Sequence, residues 1–195
     1  MNTLKVERRN MQTKAKKLRR EGFVTGNVFG KELKTSIPVQ MTRKDADEIL
    51  KTCHKGSQVM MELGDKKRDV LIKDIDYDAN KRQIVEIDFQ LLVKGEMVNS
   101  VAEVVLLNTE KVLEGIIELD LSEIAYKATP DELVDKVEID LAGLKPGAQI
   151  LVKDLPIASN LGIVLKSELN ESVVRIVEPH MASISDEDEE EDTEE

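Results

Sequence analysis

The chain has 195 residues, enough for one large domain or two small ones, and 41% of them are hydrophobic. Aromatic residues make up only 3% and tryptophan is absent, so aliphatic side chains must fill any core. A single cysteine excludes an internal disulfide, and no run of about 18 apolar residues predicts a membrane span. Because the amino terminus also lacks the apolar core of a signal peptide, the sequence predicts a cytoplasmic protein.

The formal net charge of −11 conceals two halves of opposite sign. Residues 1–94 contain 21 Lys and Arg against 14 Asp and Glu, a net charge of +7. Residues 95–195 contain 7 against 25, a net charge of −18. A basic half beside an acidic half indicates a charged partner for the first half, in spite of the acidic overall pI. The sign changes around residues 94–100, which we predict to be a domain boundary.

The densest cationic run in the chain lies near its amino terminus. Five cations fall within seven residues, namely Lys14, Lys16, Lys17, Arg19 and Arg20. Such a run suits the regular negative charge of a phosphate backbone, although a solvated helix face would have the same composition. We predict a loop or short helix here, between a first strand around Leu4 and Val6 and a short strand at Val28 and Phe29.

Beyond this run, the pattern predicts one helix and several strands. A strand is expected at residues 35–41, and Thr42 with Asp45 has the spacing of a helix N-cap. Apolar residues then recur at helical spacing until Gly56. The strands that follow are predicted at residues 58–63, 68–75 and 83–92.

The predicted strand at residues 83–92 alternates regularly between apolar and polar side chains. Val85, Ile87 and Phe89 should share one face, because successive side chains point to opposite sides of a strand. Glu86 and Asp88 should share the other face. Paired carboxylates can serve acid–base chemistry, can accept hydrogen bonds from RNA, or can simply be the solvent side of a strand.

The second half predicts a mostly β domain with short strands. These are expected at residues 98–107, 111–121, 134–140, 150–152, 163–165 and 172–177. A one-turn helix is expected at Thr129, with Pro130 in its first position. Residues 181–195 are predicted to be a disordered acidic tail, because the last ten residues hold nine acids and no hydrophobic side chain.

No arrangement of residues suits catalysis or metal binding. Residues 74–78 imitate the start of a calcium loop, but Ala79 and Val85 stand where the loop needs glycine and glutamate, so a solvated turn is the preferred interpretation. The adjacent Cys53 and His54 are expected to be a thiol at a helix end and an exposed histidine. The sequence therefore predicts no enzyme, and it predicts no metal, cofactor or small-molecule site.

A resemblance to a known family rests on the stretch Leu18-Arg-Arg-Glu-Gly-Phe-Val-Thr-Gly-Asn-Val-Phe-Gly-Lys31. It resembles the signature of bacterial large-subunit ribosomal proteins that bind 5S ribosomal RNA. Residues 7–9, 70–75 and 84–89 are also similar to that family, and residues 137–147 and 152–156 are similar to its second domain. Nearly the whole chain thus resembles the two-domain form, which includes the general stress protein CTC.

The resemblance implies a mostly β protein with two domains. Residues 1–94 would be a six-stranded β-barrel with short helices, and residues 95–180 would be a separate, acidic β-rich domain. The barrel would bind an irregular internal loop of 5S ribosomal RNA in the large subunit, and neighbouring ribosomal proteins would be further partners. RNA contacts would come from Arg9, Lys14, Lys16, Lys17, Arg19, Arg20, Phe29, Glu86 and Asp88.

Several of these positions depart from the family pattern. Lys16 and Lys17 stand where arginines are usual, Phe29 where a tyrosine is usual, and Glu86 where a histidine is usual. Lysine lacks the planar fork that arginine offers to phosphate, and Glu86 places an anion where a neutral or cationic ring would face RNA. An alternative function is therefore a diverged, stress-related paralogue that kept the fold, lost tight RNA binding and acts as a protein-interaction module.

Overall fold

The computed structural model describes residues 2–178, and every structural statement below concerns these residues. The acidic tail predicted for residues 181–195 lies outside them. The described chain is mostly β, as the sequence predicts, and consists of a closed barrel followed by two further sheets. None of its helices has the length and apolar character needed to cross a membrane.

Six strands close the barrel, which confirms the expected architecture of the first half. They are β1 (Thr3–Arg8), β2 (Phe23–Phe29), β3 (Ile37–Thr42), β4 (Gln58–Leu63), β5 (Lys66–Asp78) and β6 (Gln83–Leu91). Their order around the barrel is β1-β3-β2-β6-β5-β4, and β4 pairs back onto β1. The pairings of β1 with β4 and of β2 with β6 are parallel, whereas the others are antiparallel.

Two short helices pack on the barrel, α1 (Ala15–Arg20) and α2 (Arg43–Ile49). The cationic run therefore forms a helix, and the buried side chain of Leu18 packs it against the barrel. Thr42 is the N-cap of α2, since its Oγ1 accepts a hydrogen bond from the Asp45 backbone N at 3.1 Å, and this confirms the predicted cap. Ala46 of α2 joins the aliphatic core inside the barrel, because it faces inwards from the helix.

The remaining strands form a second β unit, residues 98–177. They are β7 (Val98–Leu107), β8 (Ile116–Leu119), β9 (Glu123–Ala128), β10 (Lys136–Asp140), β11 (Gln149–Leu151), β12 (Ile163–Leu165) and β13 (Ser172–Val177). One sheet has the order β10-β7-β9-β12 and the other β11-β13-β8. Residues from both sheets, such as Ile124 and Val174, belong to one core, so the two sheets pack against each other.

Tyr126 lies fully buried in the core of the second β unit. Its hydroxyl donates to Val134 O at 2.9 Å and accepts from Val134 N at 2.8 Å, so the one polar atom of the ring is satisfied. Burial raises the pKa of Tyr126. These two hydrogen bonds fix the segment before β10 against β9.

The structure differs from the predicted elements in several places, and β2 starts at Phe23 and α2 ends at Ile49 where a shorter strand and a longer helix were predicted. The strand predicted at residues 111–121 is instead a 3-10 turn, Thr109–Lys111, followed by the shorter β8. β9 was not expected, since its two alanines weaken the apolar signal. β5 continues through Asp76 to Asp78, where a polar turn was predicted, because these residues pair with β6.

The barrel and the second β unit contact each other through a continuous joint. Leu71 and Leu92 form a buried cluster with Val98, and Leu133 packs against it. Lys73 Nζ donates to Asn99 O at 2.8 Å, and burial lowers the pKa of Lys73. The joint thus combines apolar packing with a hydrogen bond from a lysine side chain to a backbone carbonyl.

His54 also belongs to this joint, so the expectation of a simply exposed histidine was wrong. Its Nε2 lies 2.8 Å from Asp135 O and donates to it, because a carbonyl can only accept. Burial raises the pKa of the Asp135 carboxyl, while the nearby His54 acts in the opposite direction. Cys53 is buried on the barrel side, where Asn2 Nδ2 donates to its sulfur at 3.0 Å.

Gly56 lies at a close backbone contact between the two units. It has φ +92°, and a Cβ at this position would lie 2.0 Å from Val101 O of β7. A backbone carbonyl inside a sheet cannot rotate away, so any side chain at Gly56 would push the two units apart. Ser100 Oγ donates to Gly56 O at 3.4 Å, across the same contact.

Replacing Gly56 with alanine is expected to lower the free energy of unfolding by about 2 kcal/mol, because the added methyl group overpacks the joint. Urea denaturation of the full chain measures this loss. Gly147→Ala is the matched control, since Gly147 has φ +88° and nothing within 4 Å of an added Cβ. Equal losses in the two variants would mean that backbone strain, rather than the contact with Val101, causes the effect.

Candidate nucleic-acid interface

The parallel pairing of β2 with β6 builds the centre of the candidate interface. Thr25 of β2 pairs with Glu86, and Val28 pairs with Phe89. Side chains at alternate positions therefore face outwards from both strands, and Glu86 and Asp88 lie side by side on the outer surface. The predicted common face for these two carboxylates is correct, and Phe89 points into the core as expected.

Asn27 links the two carboxylates, a role that no local pattern in the sequence indicated. Its backbone N donates to Asp88 Oδ1 at 3.0 Å, and its Nδ2 lies 3.2 Å from both Glu86 Oε1 and Asp88 Oδ1. Asp88 thus satisfies a backbone donor of the neighbouring strand. This carboxylate has a structural task in addition to any contact with a ligand.

Val85 does not share the core face with Ile87 and Phe89, so that part of the predicted alternation was wrong. Ile84 is buried instead, whereas Val85 is half-buried and lines a surface cavity. The reason is a register shift between β5 and β6 at Asp76 and Tyr77, which moves one residue of β6 out of the alternation.

This cavity, with a volume of about 560 Å³, lies between α1 and the turn that joins β5 to β6. It is lined by Lys16, Arg19, Arg20, Arg43, Asp78, Lys81, Gln83 and Val85. Five of these side chains are cationic and one is anionic, so the cavity offers its surroundings a positive surface. The hydrogen bond that Lys81 Nζ donates to Asp78 Oδ2 at 3.0 Å lowers the pKa of Asp78.

Arg19 connects the cavity to the β2–β6 surface. Its Nη2 lies 3.7 Å from Glu86 Oε2, and both side chains are about one-third exposed. Arg43, the first residue of α2, donates from Nη2 to Arg19 O at 3.1 Å and so holds the end of α1. Within residues 2–178, the buried Nε atoms of Arg9, Arg19 and Arg43 have no hydrogen-bond partner.

The structure brings some predicted site residues together and leaves others apart. Lys16, Arg19 and Arg20 line the cavity, whereas Lys14 precedes α1 and Lys17 pairs with Glu21 at 3.8 Å. Arg9 lies before α1, where its Nη2 donates to Thr13 O at 3.3 Å.

Phe29 lies at the far end of β2, half-buried and on the same face as Asn27. Arg43 and Lys81 were missed because only the fold places them beside α1.

A barrel with a cationic surface joined to a second, acidic β unit defines a two-module β protein, and the family models specify its class. Residues 4–89 match the Ribosomal L25p family, and residues 97–180 match the C-terminal domain of ribosomal protein TL5. The chain belongs to the Ribosomal L25p family in its two-domain form, as the resemblance predicted. This is a family of structural ribosomal proteins without enzymatic activity.

Full-length relatives agree with this assignment. The chain is 28% identical over 186 residues to large ribosomal subunit protein bL25 of Dictyoglomus turgidum, covering 90% of this chain and 89% of the relative. It is 29% identical over 173 residues to the protein of that name from Dictyoglomus thermophilum, covering 85% and 83%. The corresponding protein of Caldanaerobacter subterraneus is 27% identical over 193 residues, covering 96% and 94%.

Replacing Asp88 with alanine is expected to lower the free energy of unfolding by about 1–2 kcal/mol, because the half-buried Asn27 N–H loses its acceptor. Asp88→Asn keeps an acceptor oxygen and should lose less. Asp74→Ala is the control, since Asp74 faces Asp88 in the β5–β6 register but is exposed. Thermal or urea unfolding measures all three, and a loss for Asp74→Ala equal to that for Asp88→Ala would contradict the assigned role.

Proposed function

We propose that this protein is a structural component of the large ribosomal subunit and that its barrel binds 5S ribosomal RNA. Family membership and the name of the relatives, large ribosomal subunit protein bL25, support the ribosomal role. The choice of 5S RNA rests on the resemblance of residues 18–31 and the motifs that accompany them. The observation that carries RNA binding is the cationic cavity beside the β2–β6 surface.

In this proposal the residues divide into two roles. Lys16, Arg19 and Arg20, with the exposed Lys14 and Lys17, attract the phosphate backbone and supply the salt-dependent part of the affinity. Arg9, Phe29, Glu86 and Asp88 lie where they can set the position of the RNA. An A-form or irregular RNA surface presents phosphates, 2′-hydroxyls and a few base edges, which suits this mixture of cations and hydrogen-bonding groups.

The two modules have separate tasks under this proposal. Residues 1–94 are the RNA-binding domain, and residues 95–180 form an acidic domain that phosphates repel. The acidic domain therefore turns towards neighbouring proteins or solvent. An ion pair at the joint supports this arrangement. Lys55 Nζ of the barrel lies 3.5 Å from Glu123 Oε2, so it neutralises one carboxylate of the acidic domain that would otherwise face the barrel.

The full chain is expected to bind 5S RNA with an affinity that falls as the salt concentration rises. The lysine and arginine side chains release counterions from the RNA phosphates, and added salt makes this release less favourable. Replacing Lys16 and Arg20 together by glutamine should weaken binding and reduce the slope of log K against log salt by about two. Fluorescence anisotropy over a salt series measures both.

The matched control for this experiment removes two cations from elsewhere in the chain. Lys111 and Lys145 are exposed in the second β unit, and replacing both by glutamine should leave the slope unchanged. Undetectable affinity at low salt, or an affinity that salt does not change, would contradict RNA binding by this surface.

A second candidate function is the diverged paralogue with weakened RNA binding. The ion pair between Arg19 and Glu86 favours this second function. The Glu86 carboxylate pairs with a guanidinium group that would otherwise be available to an RNA phosphate. Asn27 holds Glu86 in this position through its Nδ2, at 3.2 Å. Such a protein would keep the fold and act through its interaction surfaces, including under stress.

Replacing Glu86 with glutamine is expected to tighten 5S RNA binding several-fold, because it removes an anion from the RNA-facing surface and releases Arg19. Glutamine keeps an oxygen for the hydrogen bond from Asn27. Glu48→Gln is the control, since it removes an exposed carboxylate from the barrel at α2. Anisotropy titrations compare the two, and equal affinities for Glu86→Gln and the unmodified chain would rule out this carboxylate as the cause of weak binding.

A further inference from the structure

The free edge of β8 is a second surface that is suited to binding a partner. β8 is the last strand of the sheet β11-β13-β8, and within residues 2–178 it pairs only with β13. That pairing runs from Ile116 to Leu119 without a shift in register. The opposite edge of β8 therefore presents backbone N–H and C=O groups that an additional strand can bind.

The other edges of the second β unit are more strongly protected than β8, which has four residues and one charged side chain, Glu118, paired with Arg175. On β10, the charged Lys136, Glu138 and Asp140 are exposed and alternate with buried residues. β11 and β12 have only three residues each, and β11 also has a register shift. Short strands, charged side chains and irregular register all discourage strand addition at an edge.

β8 contains neither proline nor lysine, and large apolar side chains are exposed along it. Ile116 is 52% exposed and Leu119 is 42% exposed, while Leu113, just before the strand, is 91% exposed. An unprotected edge with exposed apolar side chains is typical of sites where an extended peptide adds to a sheet.

The charge around β8 determines which segment fits. Residues 109–121 contain four acids and one lysine. Arg175 contacts two of these acids, with Nε 2.9 Å from Glu118 Oε2 and Nη2 3.3 Å from Asp120 Oδ1. Glu110 and Glu114 are exposed. The surroundings are negative as well, since residues 97–178 hold 15 acids against 7 Lys and Arg, a net charge of −8.

This charge disfavours the two occupants that the chain itself could supply. A second copy would bring an equally acidic edge against the first. The last ten residues of the chain contain nine acids, so they would be repelled as well. An extended segment with positive charge is the complementary occupant.

We propose that β8 is the docking edge for an extended, lysine- or arginine-rich segment of a neighbouring protein, which adds to the sheet as a fourth strand. Backbone hydrogen bonds to β8 provide the affinity, apolar side chains of the segment pack beside Ile116, and its cations face Glu114. The proposal concerns the second β unit alone, so its test does not depend on whether the barrel binds RNA.

The test uses the full, isotope-labelled chain and a short synthetic peptide of alternating lysine and valine. Amide NMR shifts should change at residues 113–119, and the affinity should fall as salt rises. A peptide of the same sequence with methylated backbone nitrogens should not bind, because it cannot complete the ladder. Ile116→Lys and Glu114→Lys should each weaken binding about tenfold.

Matched controls lie in the loop before β13. Leu169 is 54% exposed and Glu168 is exposed, so Leu169→Lys and Glu168→Lys repeat the same changes away from a strand edge and should leave the affinity unchanged. Glu114→Lys keeps the test decisive if Ile116→Lys perturbs the sheet.

Three outcomes would overturn the proposal. These are no shifts at residues 113–119, equal binding by the methylated peptide, and equal weakening by the control variants. A dimer in sedimentation that Ile116→Lys abolishes would also overturn it, because a second copy would then be the occupant.

Discussion

The parallel contact between β2 and β6 is the constraint on which the barrel and its outer surface both depend. Gly26 makes it possible, since a Cβ there would lie 2.0 Å from Ile87 O. The strands therefore approach each other only because this position of β2 has no side chain. The same contact aligns Asn27 with Asp88, which are separated by 61 positions in the sequence, and so assembles the surface beside the cationic helix.

Internal acids moderate the positive charge of the barrel without cancelling it. Arg19, Lys17 and Lys81 each lie within 4 Å of a carboxylate; Lys17 and Lys81 are largely exposed to solvent, whereas Arg19 and its partner Glu86 are each about one-third exposed. Exposed ion pairs contribute about 0–1 kcal/mol, so a phosphate group that reaches these cations can replace the internal partner at little cost. Glu86 differs from the other acids because Asn27 also holds it in place.

Local patterns in the sequence predicted much of the fold, and features that depend on distant contacts were missed. The cap at Thr42 and the inward-facing Ile87 and Phe89 follow from spacing alone. Ile84, rather than the predicted Val85, is buried because of the way β5 pairs with β6. The alternation of side chains along one strand cannot reveal such a register shift. Arg43 and His54 gain their roles from neighbours far away in the sequence, so neither carried a local signal.

Barrel closure also has a consequence for the order in which the chain folds during synthesis. β2 cannot acquire its parallel neighbour until residues 83–91 have left the exit tunnel, since β6 is that neighbour. Until then Gly26 and Asn27 can pair only with β3 on one side, and the cationic helix packs on a sheet that is still open on the other. A nascent chain therefore completes its RNA-facing surface late, when nearly half of the polypeptide has emerged.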